Sequence, residues 1–306
     1  MQYFPRKGLA GAAFGILPPV FPVVLAYSAP TMNQKTVLVT GCSTGIGLAC
    51  AKGLVARGYR VFATARKAED VARLAAEGLE ALQLDYADSA SVQACAAEVA
   101  HRTGGTLYAL FNNGAYGQPG AVEDITRKVL EDQFAANVFG WHELTTLCLP
   151  MMRKLGEGRI VQCSSVLGIL ALKWRGPYNA SKFALEGLTD TLRLELRNTG
   201  IKVVTINPGP IESMFVKNAR AAFEKNVDMT HSHYKAEFER QRQRLDRGGS
   251  SRFKLPATAV LDKLVLALEK KNPRAHYYVT TPTYVAAIVK RLMPQSFIDS
   301  FANKNS

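Results

Sequence analysis

From Thr36 onward, short apolar runs alternate with longer stretches in which apolar positions recur every third or fourth residue. The short runs Thr36–Thr40, Arg60–Thr64, Glu80–Leu84, Leu107–Phe111, Gly158–Cys163 and Lys202–Ile206 read as strands, with a last one at His276–Thr280. The stretches between them read as helices: Gly45–Arg57 closed by Gly58, Glu69–Glu77, and one that Ser89 caps and that runs to about His101. Further helices fall within 127–153 and over Tyr178–Asn198, and Pro256 opens one that reaches about Lys271. Strands that alternate regularly with helices form right-handed βαβ units on a parallel sheet. No internal repeat or long linker divides the pattern. It predicts an α/β fold, a single doubly wound parallel sheet with helices on both faces, spanning 32–306 and elaborated from about residue 212.

The first 31 residues do not share this pattern. Gly8–Tyr27 is free of charge and follows Arg6 and Lys7, as in a signal peptide or an anchor. Pro18, Pro19 and Pro22 interrupt any regular spanning helix, and Tyr27-Ser28-Ala29 is a poor cleavage site. Three readings stay open: an extension upstream of a start at Met32, an anchor or export signal, and an ordered arm. Met32-Asn33-Gln34-Lys35 runs straight into the first strand, which favours the extension.

Composition narrows the class. With 47% hydrophobic and 21% charged residues over 306 positions, the chain is neither disordered, collagenous, coiled-coil nor a polytopic membrane protein. Its net charge of +13 invites a nucleic-acid reading, but residues 32–211 hold only +3 of it, while 212–255 and 256–306 hold +4 each. The basic residues are interspersed with acids and lack zinc-finger, RNP or basic-zipper spacing, so no nucleic-acid partner is expected. The excess reads instead as an electropositive rim near a substrate mouth or a membrane surface. Five cysteines with no C-x-x-C pair and one left over indicate a reducing compartment, hence a cytoplasmic protein with structural thiols. His231 and His233 lack a ligand pattern and read as part of a solvated loop, so no metal is expected.

Chemistry begins at the first strand-to-helix turn, Thr40-Gly41-Cys42-Ser43-Thr44-Gly45-Ile46-Gly47. Glycines there let backbone approach a pyrophosphate, and the helix that follows offers free N–H groups and a favourable dipole. A glycine turn alone is weak, because tight turns need glycine anyway. Its position between a strand and a helix makes it a nucleotide site.

The TGxxxGxG spacing resembles the short-chain dehydrogenase/reductases, and further motifs follow in that family's order. Asn112-Asn113-Gly114-Ala115 resembles its NNAG motif with the last two residues exchanged; Asn137 lies in a helix; Ser165 follows the fifth strand. Tyr178-Asn179-Ala180-Ser181-Lys182 is a YxxxK motif, and Asn207-Pro208-Gly209 ends the sixth strand. The resemblance covers about Lys35 to Ser213 strongly and implies a Rossmann-type fold. It implies a catalytic set of Ser165, Tyr178, Lys182 and Asn137. Cofactor contacts would come from Gly41, Ser43, Thr44, Gly45, Ile46, Gly47, Asn113, Gly114, Pro208, Gly209, Ile211 and Ser213, together with Tyr178 and Lys182. It also implies that Lys182 binds the nicotinamide ribose and that Asn137 holds a water linking Lys182 to solvent.

The residues themselves suit those roles. Tyr178 and Lys182 are four apart on one helix and share a face. A nearby ammonium stabilises phenolate and should lower the tyrosine pKa from about 10. Ser165 can donate a hydrogen bond to a carbonyl oxygen as charge develops there. A buried aromatic beside a snorkelling lysine is the bland reading of the pair. A dehydrogenase working in the alcohol-oxidising direction and a cofactor-binding regulatory protein without turnover are the alternative functions, and the intact Ser165, Tyr178 and Lys182 count against the second.

The second strand ends Ala63-Thr64-Ala65-Arg66-Lys67, with no acid to bond a ribose 2′-OH. Arg66, aided by Ser43, suits a 2′-phosphate, so NADP(H) is the expected cofactor. Asp85 resembles the family residue beside the adenine ring. Tyr116, Leu167, Leu170, Trp174, Met214 and Phe215 lie in the substrate segments, without an arginine clamp for a carboxylate, so the expected substrate is a lipophilic aldehyde or ketone. The overall pattern looks most like the branch with retinol dehydrogenases, 17β-hydroxysteroid dehydrogenases and bacterial NADP-dependent aldehyde reductases. Two positions depart from the family: Ala115 sets a methyl where backbone passes the cofactor, with Gly114 expected to restore flexibility, and Ser213 replaces a threonine. Pro282–Met293 reads as a core-packing helix or a peripheral membrane contact. A homo-oligomer stays open.

Overall fold

The structure is a computed structural model that describes residues 34–246 and 253–305. The N-terminal extension predicted at 1–31 lies outside the described residues.

Seven strands form one parallel sheet: β1 (Thr36–Val39), β2 (Arg60–Ala65), β3 (Glu80–Gln83), β4 (Ala109–Asn112), β5 (Gly158–Cys163), β6 (Ile201–Asn207) and β7 (His276–Tyr278). Their order is β3-β2-β1-β4-β5-β6-β7. The order reverses between β1 and β4, which opens a crevice at the carboxyl ends of the strands. Val39, the last residue of β1, stands opposite Ala63 of β2 and Phe111 of β4, so β2 and β4 run one or two residues further on either side of that crevice.

The helices are α1 (Gly45–Val55), α2 (Ala68–Ala76), α3 (Ser89–Arg102), α4 (Arg127–Phe134), α5 (Gly140–Leu155), α6 (Gly176–Glu195), α7 (Phe215–Asn226), α8 (Lys235–Asp246), α9 (Thr258–Glu269), α10 (Thr281–Leu292) and α11 (Gln295–Asn305). α1 packs with α9, and α3 with α5, while α6 lies along β6. Helices therefore flank both faces of a Rossmann-type sheet. Central strands covered twice must be apolar throughout. Val37, Leu38 and Val39 of β1, Leu110 and Phe111 of β4 and Ile160 and Val161 of β5 are accordingly buried without exception. Each large side chain among them contributes about 1.5–3 kcal/mol of transfer free energy.

Two features differ from the sequence pattern. Asp88, not Ser89, caps α3: its carboxylate accepts from the Ala90 amide at 3.0 Å, while Ser89 Oγ is drawn to Glu143 on α5 at 2.6 Å. Either residue type caps well, and the neighbouring helix decided between them. α7, α8 and α11 form where no helix was expected. α8 buries Phe238 on an otherwise polar sequence, so periodicity carries little signal there. Phe238 joins Ala121, Phe223 and Val227 in a small apolar cluster of their own. A third cluster joins Leu170 to Ala286, Val289 and Ile298, so α10 packs on the segment after β5. That meets the core-packing expectation for 282–293, while Tyr284, Val285, Ile288 and Leu292 face outward. Among the described residues no helix is long and apolar enough to cross a membrane.

Candidate active site

The glycine turn leaves β1 at Thr40 and enters α1. Gly41 and Gly45 adopt left-handed conformations, with φ +68 and +59. A Cβ on Gly41 would sit 2.5 Å from Gly114 Cα, and one on Gly47 would sit 2.2 Å from Gly41 O. The turn and the start of the segment after β4 are thus in backbone contact. Thr40 Oγ1 fastens the second of these, accepting from the amides of Asn113 at 2.8 Å and Gly114 at 3.2 Å. Asn113 Nδ2 returns to Thr40 O at 3.0 Å. Gly114 is therefore held by these bonds, and Ala115 is partly buried against the main core. The N-terminus of α1 has no side-chain cap on Thr44 and no acidic residue in its first turn, and Ile46 packs inward. Its N–H groups remain available to an anion.

Ser165, Tyr178 and Lys182 meet at the end of β5. The Tyr178 hydroxyl shares a hydrogen bond with Ser165, whose Oγ also accepts from the Leu167 amide at 3.1 Å. Lys182 is wholly buried, donates from Nζ to Cys163 O at 2.8 Å and lies 4.3 Å above the Trp141 ring. The expected lowering of the tyrosine pKa is not what this arrangement produces. Burial pushes the Tyr178 phenol up, partly offset by the Ser165 bond, and burial pushes the Lys182 ammonium down to about 8. Loss of hydration on burial is the largest cause at both groups.

Asn137 occupies a π-helical turn, Ala135–Phe139, between α4 and α5. Its Oδ1 accepts from the Tyr116 amide at 3.2 Å, and its Nδ2 donates to Tyr116 O at 2.9 Å and Ser181 Oγ at 3.2 Å. A break of this type commonly marks a functional position. Of the remaining predicted contacts, Ser213 lies against the glycine turn, its Cβ 3.0 Å from where a Gly45 Cβ would be. Pro208 O accepts from the Val166 amide at 2.8 Å, and Ile211 pairs with Leu255. A Cβ on Gly209 would strike Thr280 Oγ1. Asp85 folds its carboxylate onto the Ala87 amide at 3.0 Å. Arg66 is exposed at the end of β2, where its charge opposes the burial and the Asp132 carboxylate that push the Tyr116 phenol up to about 12.

Four residues escaped sequence reading. Trp141, one turn beyond Asn137, donates from Nε1 to Gly114 O at 2.8 Å beneath Lys182, tying both motifs to α5. Arg73 on α2 donates to Ser43 O at 2.6 Å, and its pairing with Asp70 and Glu77 holds it there. Glu186, one turn after Lys182, accepts from Asn207 Nδ2 at 2.5 Å, and burial pushes its carboxyl up. His276 lies 3.7 Å from the same carboxylate and shares its Nδ1 with Thr205 Oγ1 at 2.7 Å. With Asp190 these form a group of metal-ligating types, knitted by hydrogen bonds. Only the i, i+4 spacing on α6 hinted at it. His231 is exposed and pairs with Asp228 at 3.0 Å.

A pocket, partly open to solvent, has Tyr178 in its lining. Leu167, Trp174 and Phe215 line it as expected, joined by Ala219, Phe223 and Phe238 from α7 and α8. Leu170 does not, because the α10 cluster claims it, and neither do Tyr116 and Met214. Two arginines, Arg175 and Arg242, do line it, against the expectation of no cationic clamp.

Residues 35–224 match the profile of short chain dehydrogenase. The chain belongs to the short chain dehydrogenase family. It is 42% identical over 266 residues to the uncharacterized oxidoreductase YbbO of Escherichia coli, covering 87% of this chain and 93% of that one. It is 29% identical over 281 residues to an NADPH-dependent 3-dehydrocapnine reductase of Ornithobacterium rhinotracheale, covering 89% and 97%. A short chain dehydrogenase/reductase from Burkholderia phymatum, solved in complex with NAD, superposes with a TM-score of 0.71 at 27% identity, covering 88% of this chain and 96% of that one.

The protein is thus a short chain dehydrogenase-type oxidoreductase, and its cofactor is a nicotinamide nucleotide. The residues present fit that group. Two left-handed glycines and an uncapped helix start make a concave backbone surface for a pyrophosphate, and Ser165, Tyr178 and Lys182 stand beyond it.

Proposed function

We propose that the chain is an NADPH-dependent reductase of lipophilic aldehydes or ketones. The observation that carries this reading is the Ser165–Tyr178 hydroxyl pair, whose tyrosine also lines a largely apolar pocket. When bound, the nicotinamide supplies the hydride that reduces the carbonyl carbon. Tyr178 gives its phenolic proton to the carbonyl oxygen, and Ser165 donates a hydrogen bond to that oxygen as charge develops. Burial keeps the phenol in its donor form through the physiological range, which suits reduction. Lys182, with its ammonium brought down to about 8, can return a proton to the phenolate after each turnover. Asn137 holds the Tyr116 backbone in position beside it. The five cysteines are all free and buried, which supports a reducing, cytoplasmic setting.

Lys182 sets a pH limit. Its charged form exists below about 8 and is lost above it. The reduction rate at saturating NADPH should therefore be level at neutral pH and fall as pH rises through that value. A rate that stays level up to pH ~10, where an unperturbed lysine titrates, would remove Lys182 from the proton path.

The proposal as a whole is tested by NADPH consumption over medium-chain aldehydes, retinal and ketosteroids. Tight NADPH binding without turnover of any of them would sink it. Cofactor choice is read from Arg66→Ala. With no acid at the end of β2, Arg66 is the residue suited to the 2′-phosphate. Its removal should raise the KM for NADPH by about tenfold, the worth of one charge-assisted hydrogen bond. An unchanged NADPH-to-NADH preference would contradict the assignment.

A further inference from the structure

Glu186 is a largely buried carboxylate that the proton transfer above does not use. It stands one turn after Lys182 on α6. The titratable groups around it are Lys182 and Asp190 on its own helix and His276 and Tyr278 on β7. Asp190 pairs in turn with Arg193 at 2.6 Å.

One acceptor fixes the direction of the hydrogen bonds here. Ser165 O can only accept, and Asn207 Nδ2 lies 3.4 Å from it as well as 2.5 Å from Glu186 Oε1. Asn207 Oδ1 therefore faces Thr205 Oγ1 at 3.1 Å, and the threonine donates to it. With its one proton so used, Thr205 Oγ1 accepts from His276 Nδ1 at 2.7 Å, so that nitrogen is not free to ligate a metal. The donors thus run one way, from β7 through Thr205 and Asn207 to Glu186 and to the main chain of Ser165. Glu186 also abuts the turn that follows Ser165: a Cβ on Gly168 would lie 3.2 Å from Glu186 Cγ.

The same carboxylate acts on Lys182. A charge in a site that excludes water is held by an opposite charge nearby. The Cys163 thiol and the Tyr178 phenol are close, but burial raises both, the thiol to about 11, so neither is charged where Lys182 titrates. Burial pushes the Glu186 carboxyl up as well, while Asn207 and His276 favour its ionised form. Among the described residues that leaves Glu186 as the anion that favours the Lys182 ammonium.

We propose that Glu186 is a positioning residue for this reaction. Its carboxylate oxygen fixes Asn207, and with it the main chain of Ser165, and its negative charge holds Lys182 in the ammonium form. This rests on the reductase reading above and adds to it a residue that acts through two others.

Two substitutions separate the two actions, read with saturating NADPH and the fastest substrate of the panel above. Glu186→Gln keeps an oxygen for Asn207 and removes the charge. Its alkaline fall in kcat should lie about one pH unit below the native fall near 8, because an ammonium without its anion loses its proton earlier. Glu186→Asp keeps the charge and withdraws the oxygen from Asn207 by one methylene. Its alkaline fall should stay at the native pH, while kcat at neutral pH drops by about tenfold with the KM for NADPH unchanged. Thermal melts verify folding; if one variant fails to fold, the other decides. A purely structural role would lower both melting points and leave the pH profile in place. An alkaline fall at the native pH in Glu186→Gln, or a native kcat in Glu186→Asp, overturns the assignment while the reductase reading stands. A native protein that turns over no member of the panel overturns the reductase reading and this inference with it.

Discussion

Tyr178→Phe should lower the rate of carbonyl reduction by about 10³-fold, within the span that a positioned proton donor contributes. NADPH affinity should stay near its native value. The reasoning rests on how little else the substitution changes. The ring of Tyr178 packs 5.2 Å from that of Phe215 and is almost wholly buried, and phenylalanine keeps that packing. Ser165 loses one partner, yet its Oγ still accepts from the Leu167 amide. Lys182 stays bonded to Cys163 O. Only the transferable proton is gone. Single-turnover kinetics and NADPH fluorescence titration separate the two quantities. A variant that retains a tenth or more of the native rate would refute Tyr178 as the donor.

Gly41→Ala is expected to be the most damaging change outside the catalytic set. Two costs add at this position. A left-handed alanine costs ~1–2 kcal/mol, and the new methyl would lie 2.5 Å from Gly114 Cα, an overlap of backbone that costs a further ~1–3 kcal/mol. Relief requires the strand-four segment to move, and that movement pulls on the Trp141 bond to Gly114 O and on Asn113. NADPH affinity should fall by about 100-fold or more, the equivalent of ~2.7 kcal/mol, and the thermal midpoint should drop. Gly58→Ala is the matched control. Its φ is +84, but nothing lies within 4 Å of the added methyl, so it should cost ~1 kcal/mol in stability without affecting cofactor binding. If Gly41→Ala binds NADPH as the native protein does, the close approach is not needed for the site.

The strands and the major helices were legible because each strand of the sheet's centre is covered on both faces and must read as an apolar run, as Val37–Val39 and Ile160–Val161 do. The glycine turn was legible because left-handed backbone and close approach both demand glycine in the sequence itself. Tyr178 and Lys182 were legible because helical spacing puts them on one face. α8 was not, since its stability comes from Phe238 docking onto Phe223 and Val227 and onto Ala121, which the chain supplies more than a hundred positions earlier. Trp141 and Glu186 were not, since their partners Gly114 and Asn207 are brought to them by the sheet.

The sequence by itself determined the sheet order's raw material, the glycine turn and the spacing that puts Tyr178 and Lys182 on one helix face, because these follow from local periodicity and from residue types that backbone geometry requires. Tertiary structure alone decided the proton chemistry and the pocket. Burial raised Tyr178 and lowered Lys182 where proximity in sequence suggested only attraction, and packing assigned Leu170 to α10 and Arg242 to the pocket. The reason is the same in each case: desolvation and contact depend on which surfaces are excluded from water together, and that is a property of the folded whole.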